Sequence, residues 1–296
     1  MYLLRRFSRI LLIMTLAAFV VFTIRHRTSV DTRAPEIHVG EPAIEVSVAD
    51  GEDVLLTDVT AYDKTDGDVS DSVQVENIST FYGDQKRLIT YVAFDSDNNV
   101  ARATRELRYT DYEAPRFILE EPMQYLPGGV NLKVKATDCL DGNISSAIKL
   151  VESEIVSTDQ PGQYPVTFQV ANSAGDVSTL RAIVEILEGP VSGAPVISLS
   201  KYIDYIPVGS AFDPNSYIES VRVNGRDYDV VPGAGNFNSE EIGADEEIVI
   251  GTDMIGVNSD VNTGEPGTYS VTYSMSLDRG HGEIASGHVP LYIVVR

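Results

Sequence analysis

The dipeptide Ala-Pro recurs at Ala34-Pro35, Ala114-Pro115 and Ala194-Pro195, and each copy runs into a strand-like start, Glu36-Ile37, Arg116-Phe117 or Val196-Ile197. A fixed period marks repeated structural units. An interval of 80 residues exceeds a solenoid coil and is long enough for each unit to own a hydrophobic core. The 296 residues therefore predict a series of small tandem domains.

Within the first two units a second landmark follows. Asp63-Lys64-Thr65-Asp66-Gly67-Asp68-Val69 matches Asp138-Cys139-Leu140-Asp141-Gly142-Asn143-Ile144. Asp-Gly between apolar runs is a turn signal, because Gly accepts positive φ and Asp bonds the local backbone. Further on, Leu88 to Ser96 corresponds to Tyr164 to Ser173, both with strand-period alternation. The turns Asp97-Asn98-Asn99 and Ala174-Gly175-Asp176 then lead into closing strands, so each pair reads as a terminal hairpin. The third unit is longer, but its Pro266-Gly267-Thr268-Tyr269-Ser270-Val271-Thr272-Tyr273 repeats the pattern of Pro161-Gly162-Gln163-Tyr164-Pro165-Val166-Thr167-Phe168. Gly189 to Gly193 reads as the clearest linker and residues 110–113 as a tighter junction. With 23 Gly, 14 Pro and no helical-period stretch beyond the N-terminus, the expected fold is all-β, as tandem immunoglobulin-like β-sandwich domains. The expected boundaries are 34–111, 112–188 and 194–296.

Ile10 to Ile24 carries no charge. Fifteen helical residues span roughly 22 Å, short of the roughly 30 Å hydrocarbon core, but flanking arginines snorkel and neighbouring residues extend the helix. The reading is a cytoplasmic tail at 1–9 and a transmembrane signal-anchor helix at 10–27. A cleaved signal peptide is the alternative, disfavoured because the stretch ends in Phe22-Thr23-Ile24-Arg25-His26-Arg27 rather than in small residues. A buried helix of a soluble protein is the third option. Arg5, Arg6, Arg9 and the amino terminus, set against Arg25, Arg27 and Arg33, place the N-terminus inside and the bulk outside the cell. Formal charge is -22, with no Lys/Arg-rich run beyond residue 33, which excludes nucleic-acid binding through a basic face.

Four marks in a fixed order resemble the bacterial immunoglobulin-like repeats of Gram-positive surface proteins, the group named after an Ig-like domain of a pesticidal crystal protein and related to hyalin repeats. They are the opening Ala-Pro, the central Asp-Gly-Asp-Val or Asp-Gly-Asn-Ile, the Pro-Gly-x-Tyr-x-Val-Thr strand, and the hairpin Asp-Ser-Asp-Asn-Asn-Val or Asn-Ser-Ala-Gly-Asp-Val. The resemblance spans most of the first two units and the C-terminal half of the third. It implies a small β-sandwich used as spacer or interaction module, and it brings no catalytic residues. Antibody domains differ in having inter-sheet cysteines and a core Trp, whereas this chain has one cysteine and no Trp.

Asp63, Asp66, Asp68 and Asp71 crowd one loop, and Asp95 and Asp97 another. Such carboxylates suit calcium, which takes six to eight oxygens, and the junctions Asp31-Thr32-Arg33-Ala34-Pro35 and Asp111-Tyr112-Glu113-Ala114-Pro115 resemble cadherin linkers. The candidate metal residues are Asp63, Asp66, Asp68, Asp95 and Asp97. Against them stands a plainer reading as solvated turn aspartates, since the second unit carries Asn143, Asn172 and Ala174 at the places of Asp68, Asp95 and Asp97, and Cys139 within the same loop. Glu120-Glu121, Glu240-Glu241 and Glu246-Glu247 read as solvated edges, because neighbours on a strand face opposite sides. Of four histidines only His281 and His288 can meet across a hairpin. Cys139 is either a buried small residue or a free thiol. Tyr91, Tyr164, Tyr269, Tyr273 and Tyr292 fall at packing positions, and Tyr202 and Tyr205 are candidates for an exposed patch. G-x-S-x-G, P-loop and Rossmann glycine patterns are absent.

These features predict a non-enzymatic, single-pass surface protein without an obligatory cofactor. Its partner would be a protein or a cell-envelope glycan, bound in adhesion or held by an envelope spacer or accessory subunit. Partner contacts are assigned to the third unit, around Val223 to Gly243. The alternatives are a calcium-stiffened, cadherin-like stalk, and an envelope enzyme using acids such as Asp213 or Glu240.

Overall fold

The computed structural model describes residues 2–29, 31–83, 85–153, 158–189, 193–237, 248–278 and 283–296. Two compact units result, Met1–Tyr112 and Glu113–Arg296.

The first unit begins with helix α1 (Tyr2–Ser29). Its apolar stretch Arg6–Ile24 has a mean hydropathy of 2.2 and buries none of its side chains. The helix runs beyond the uncharged core of the stretch at both ends, so its length, about 42 Å at 1.5 Å per residue, exceeds a hydrocarbon core. Thr15 and Thr23 return their hydroxyls to carbonyls one turn back, which leaves no unpaired hydroxyl on those side chains.

Domain 1 follows with β1 (Glu36–Val39), β2 (Ala43–Val46), the one-turn helix α2 (Glu52–Leu55), β3 (Val59–Asp63), β4 (Gly67–Asp68), β5 (Gln74–Ile78), β6 (Lys86–Phe94) and β7 (Val100–Tyr109). Two sheets form, in the orders β1-β3-β4 and β2-β7-β6-β5, with β2 parallel to β7 and the other pairs antiparallel. Splitting the first strand between both sheets is what closes an immunoglobulin-like sandwich. Alternation along β3 turns Val59 and Ala61 inward, where they meet Ile89, Tyr91, Ala93 and Leu107 of the facing sheet. Each such large apolar side chain contributes about 1.5–3 kcal/mol on burial.

The second unit repeats the plan twice. Domain 2 contains β8 (Arg116–Leu119), β9 (Gln124–Tyr125), β10 (Val134–Asp138), β11 (Gly142–Asn143), β12 (Lys149–Ser153), β13 (Gly162–Ala171) and β14 (Val177–Ile186). Its sheets are β11-β10-β8 and β12-β13-β14-β9, with β9 parallel to β14. Phe117, Met123, Phe168, Leu180 and Val184 fill the space between them.

Domain 3 contains β15 (Val196–Leu199), β16 (Ile203–Ile206), β17 (Ile218–Val223), β18 (Arg226–Val231), β19 (Ile250–Gly251), β20 (Gly256–Ser259), β21 (Gly267–Asp278) and β22 (Ile284–Val295). Its sheets are β15-β17-β18-β19 and β16-β22-β21-β20. The β17-β18 hairpin, turning at Asn224-Gly225, and the long stretch of chain between β18 and β19 make it longer than the other two domains. The fold is thus all-β, immunoglobulin-like sandwiches behind one N-terminal apolar helix.

All three motif prolines, Pro35, Pro115 and Pro195, are buried. The Pro-Gly-x-Tyr repeat is also structural: the Tyr164 and Tyr269 hydroxyls donate to the carbonyls of Gln160 and Glu265, each four residues upstream. That loop-back pins the start of the long strand, as the tyrosine corner does in related sandwiches.

Strand β22 is apolar on both faces, and its two faces serve different cores. Val289, Leu291, Ile293 and Val295 point into domain 3, while Tyr292 and Val294 pack with the core of domain 2 together with Ile203 and Tyr205. Domains 2 and 3 are therefore one compact body, although Gly189 to Gly193 reads as a linker from sequence. The cause is this second apolar face, which would otherwise be left in water.

Candidate functional site

Each predicted calcium candidate accepts hydrogen bonds from the protein. Asp63 is buried, and its Oδ1 accepts the backbone N–H groups of Thr65 and Asp66 at 2.6 and 2.9 Å. Asp66 reaches the neighbouring hairpin and accepts Ser96 N–H and Oγ at 2.8 and 3.0 Å. Asp68 accepts Ser70 N–H and Oγ, which hold its carboxyl below the usual range. Asp95, also buried, accepts Asn99 through both the backbone and the side-chain amide. Asp97 Oδ2 accepts the N–H of Asp31 at 2.7 Å. The Asp31 carboxylate takes the Thr65 hydroxyl and the Arg33 N–H, and these bonds lower its pKa.

The second domain rebuilds the same lock. Asp138 accepts Leu140 and Asp141 N–H, Asp141 accepts Ser173 N–H and Oγ, and Asn143 accepts Ser145 N–H and Oγ. Asn172 stands where Asp95 does and donates from Nδ2 to Asp138 Oδ2 at 3.1 Å. The interchange works because Asn143 supplies the same acceptor atom as Asp68. The repeat motif thus fastens one turn of the sandwich to its terminal hairpin. Among the described residues no three His, Cys, Asp or Glu side chains are grouped to hold a metal ion.

The remaining sequence candidates separate. Glu120 pairs with Lys135 and Glu121 with Lys133 at the exposed surface. Glu240, Glu241, Glu246, Glu247, Gly243 and His281 lie outside the described residues. Asp213 accepts the N–H of Asn215 at the start of a short helical turn. Cys139 is exposed and reduced; its Sγ donates to the carbonyl of Glu113 at 3.1 Å, and desolvation raises its pKa.

Tyr202 and Tyr205 do not form the exposed patch expected of them, because both pack against domain 2. Tyr205 Oη accepts the N–H of Phe117, on the free edge of β8, at 2.6 Å. Its ring lies under two guanidinium groups, Arg296 at 4.5 Å and Arg116 at 5.3 Å from the centroid. Arg296 also donates to the carbonyls of Ala114 and Pro115. Burial raises the Tyr205 pKa and lowers that of Arg296, whose second perturbation is repulsion from Arg116. Tyr292 accepts the N–H of Ile183 at 2.9 Å and donates to its carbonyl at 3.2 Å.

Beside this joint lies a cleft of about 810 Å³. Among its lining residues Glu185 Oε2 accepts Gln124 Nε2 and meets His288 Nε2, both at 2.7 Å. Pro122, Pro161, Pro195 and Tyr202 supply its walls. None of Glu185, Gln124 and His288 stands out in the sequence as a group, since 164 residues separate the ends of the trio. The available signal was the unbroken apolar run Val289 to Val295, which implies a strand covered on both sides.

No family model matches the sequence. Over 187 residues the chain is 26% identical to an uncharacterized 81.3 kDa protein of Acholeplasma phage L2, a match that covers 62% of this chain and 23% of that protein. Among solved structures it is similar to the CBM51-2 domain in complex with GlcNAc and INT domains of Clostridium perfringens ZmpB, at 19% identity and a TM-score of 0.22, covering 51% of this chain and 26% of that one. It is also similar to protocadherin gamma B7 extracellular cadherin domains 1–4, at 14% identity and a TM-score of 0.20, covering 89% and 76%. The chain thus spans about a quarter of the phage protein and of the first structure.

Proposed function

We propose that the chain is a membrane-anchored, single-pass surface protein of the bacterial immunoglobulin-like repeat kind, with its C-terminal domains outside the cell. Its work is binding, in adhesion or in the spacing of envelope components, and not catalysis. The partner is a protein or a cell-envelope glycan. The observation that carries this reading is an exposed apolar helix, Arg6–Ile24, followed by sandwiches whose acidic loops are committed to holding the fold.

The test is proteolysis of intact cells that express the chain with a C-terminal epitope. Loss of the epitope from intact cells, with a full-length, membrane-retained product in untreated cells, supports the reading. An epitope protected until the cells are lysed overturns the orientation, and a soluble product lacking residues 1–27 overturns the anchor.

A further inference from the structure

We propose that the cleft between domains 2 and 3 binds a neutral oligosaccharide, a proposal that rests on the surface-binding reading and names its site. The volume of about 810 Å³ lies within the roughly 300–1,000 Å³ usual for small-ligand pockets. Its chemistry alternates. Glu185 is the acceptor between two donors, Gln124 and His288, and its Oε1 has no partner among the described residues. A sugar hydroxyl both donates and accepts, so one hydroxyl pair can bond Oε1 and enter the same chain of hydrogen bonds.

The walls suit the apolar faces of pyranose rings, because Tyr202 presents an aromatic side chain and Pro122 and Pro161 present rigid rings. Ser198, Ser286 and Gln163 add hydroxyl and amide groups at the rim. Charge narrows the ligand class. The lining groups that ionise near neutral pH are Glu185, Glu188 and His288, on a chain of formal charge -22, so an acidic polymer is repelled. A cationic peptide would meet the same free Oε1 but leaves the proline rings unused, and trilysine makes it an outcome of the test below.

The site is also held in place. Domain 2 supplies Glu185 and Gln124 and domain 3 supplies His288 and Tyr202, while the bonds of Tyr292 to Ile183 fix one domain on the other. Gly287 lets this wall close: a Cβ there would sit 1.8 Å from the carbonyl oxygen of Pro195. Pre-organisation of this kind removes an ordering cost from binding.

The experiment is calorimetric titration of the full chain in a sugar-free zwitterionic detergent, with maltotriose, cellotriose and the trimer of N-acetylglucosamine as probes. Trigalacturonate and trilysine are the charged controls. The expected result is saturable binding of at least one neutral probe with Kd on the order of 0.1–1 mM. It should weaken at least about tenfold in Glu185→Gln, which removes the charged acceptor, and in Ser286→Phe, which fills the rim from an exposed position. An unchanged melting midpoint in Ser286→Phe shows that the loss is not unfolding. No binding of any neutral probe, equal binding by both variants, or preference for a charged control overturns the proposal. The two readings fail separately: surface exposure in the proteolysis test with no probe bound removes the cleft and keeps the display, and probe binding with protected domains does the reverse.

Discussion

Replacing Tyr292 with Phe keeps the ring that packs on domain 2 and removes only its hydroxyl. That hydroxyl is the partner of both backbone groups of Ile183; Tyr292 is 5% exposed, while Ile183 is 40% exposed and admits some water to them. An unpaired buried donor or acceptor costs about 1–3 kcal/mol, which for two groups gives about 2–4 kcal/mol after partial relaxation. For a cooperative unit the size of Glu113–Arg296, about 2–4 °C per kcal/mol lowers the midpoint by roughly 4–16 °C. Differential scanning calorimetry of the full chain reads the shift, and it should fall on the transition of that unit and spare Met1–Tyr112. Hydrogen exchange gives the local readout: the Ile183 amide should exchange at least about tenfold faster while Val184, in the core, keeps its protection. A midpoint within about 1 °C of the parent, with Ile183 still protected, would show that the joint does not depend on this hydroxyl.

Asp138→Ala should destabilise the second unit by about 2–4 kcal/mol, since it removes the acceptor of the Leu140 and Asp141 N–H groups and of one bond from the Asn172 amide; a denaturant midpoint equal to the parent's would refute the lock. Millimolar calcium should leave the melting midpoint of the full chain where chelator leaves it, because Asp63, Asp66, Asp68, Asp95 and Asp97 already accept bonds from protein donors; a saturable rise abolished by Asp66→Asn would support the stalk reading. Stability should fall as pH rises above about 10, since desolvation raises the Tyr91, Tyr205 and Tyr292 pKa values in the folded state. The unfolded chain loses these protons first, so their contribution is complete below the unfolded pKa and disappears toward the folded ones; a flat midpoint between pH 9 and about 11.5 in calorimetric scans would contradict that.

The sandwich class was legible because its signals are local. Asp63 and Asp138 each bond the next turn within three residues, and Gly67 and Gly142 adopt φ of 80° and 68° there, so the motif and its geometry occupy one short stretch. Strand alternation placed Val166, Phe168 and Val170 inward by the same short-range logic. The role of the aspartates was harder to read. Composition shows a crowd of carboxylates, but only the fold shows that Ser96 and Ser173 stand opposite Asp66 and Asp141. The cleft was least legible of all, since Gln124, Glu185 and His288 come from three strands of two domains and each looks like an ordinary surface residue.

A small difference between two copies of one motif explains why domain 2 takes a partner domain at this position. In domain 1 the parallel strand β2 reaches back far enough that Glu106 N–H bonds the carbonyl of Pro42. The corresponding residue of domain 2 is Ile183, but β9 is shorter and begins its contact only at Glu185, whose N–H bonds Met123. One step of the β14 edge is thereby left open, with an N–H and a carbonyl that an unprotected edge would offer to any passing strand. Tyr292 fills that step with one hydroxyl, and Tyr205 takes the N–H of Phe117 on the edge of the other sheet. Both tyrosines sit on the outer face of the same domain 3 sheet, on the adjacent strands β22 and β16. The face that closes both edges also sets His288 against Glu185, so protection of the edges and assembly of the cleft are consequences of a single docking event.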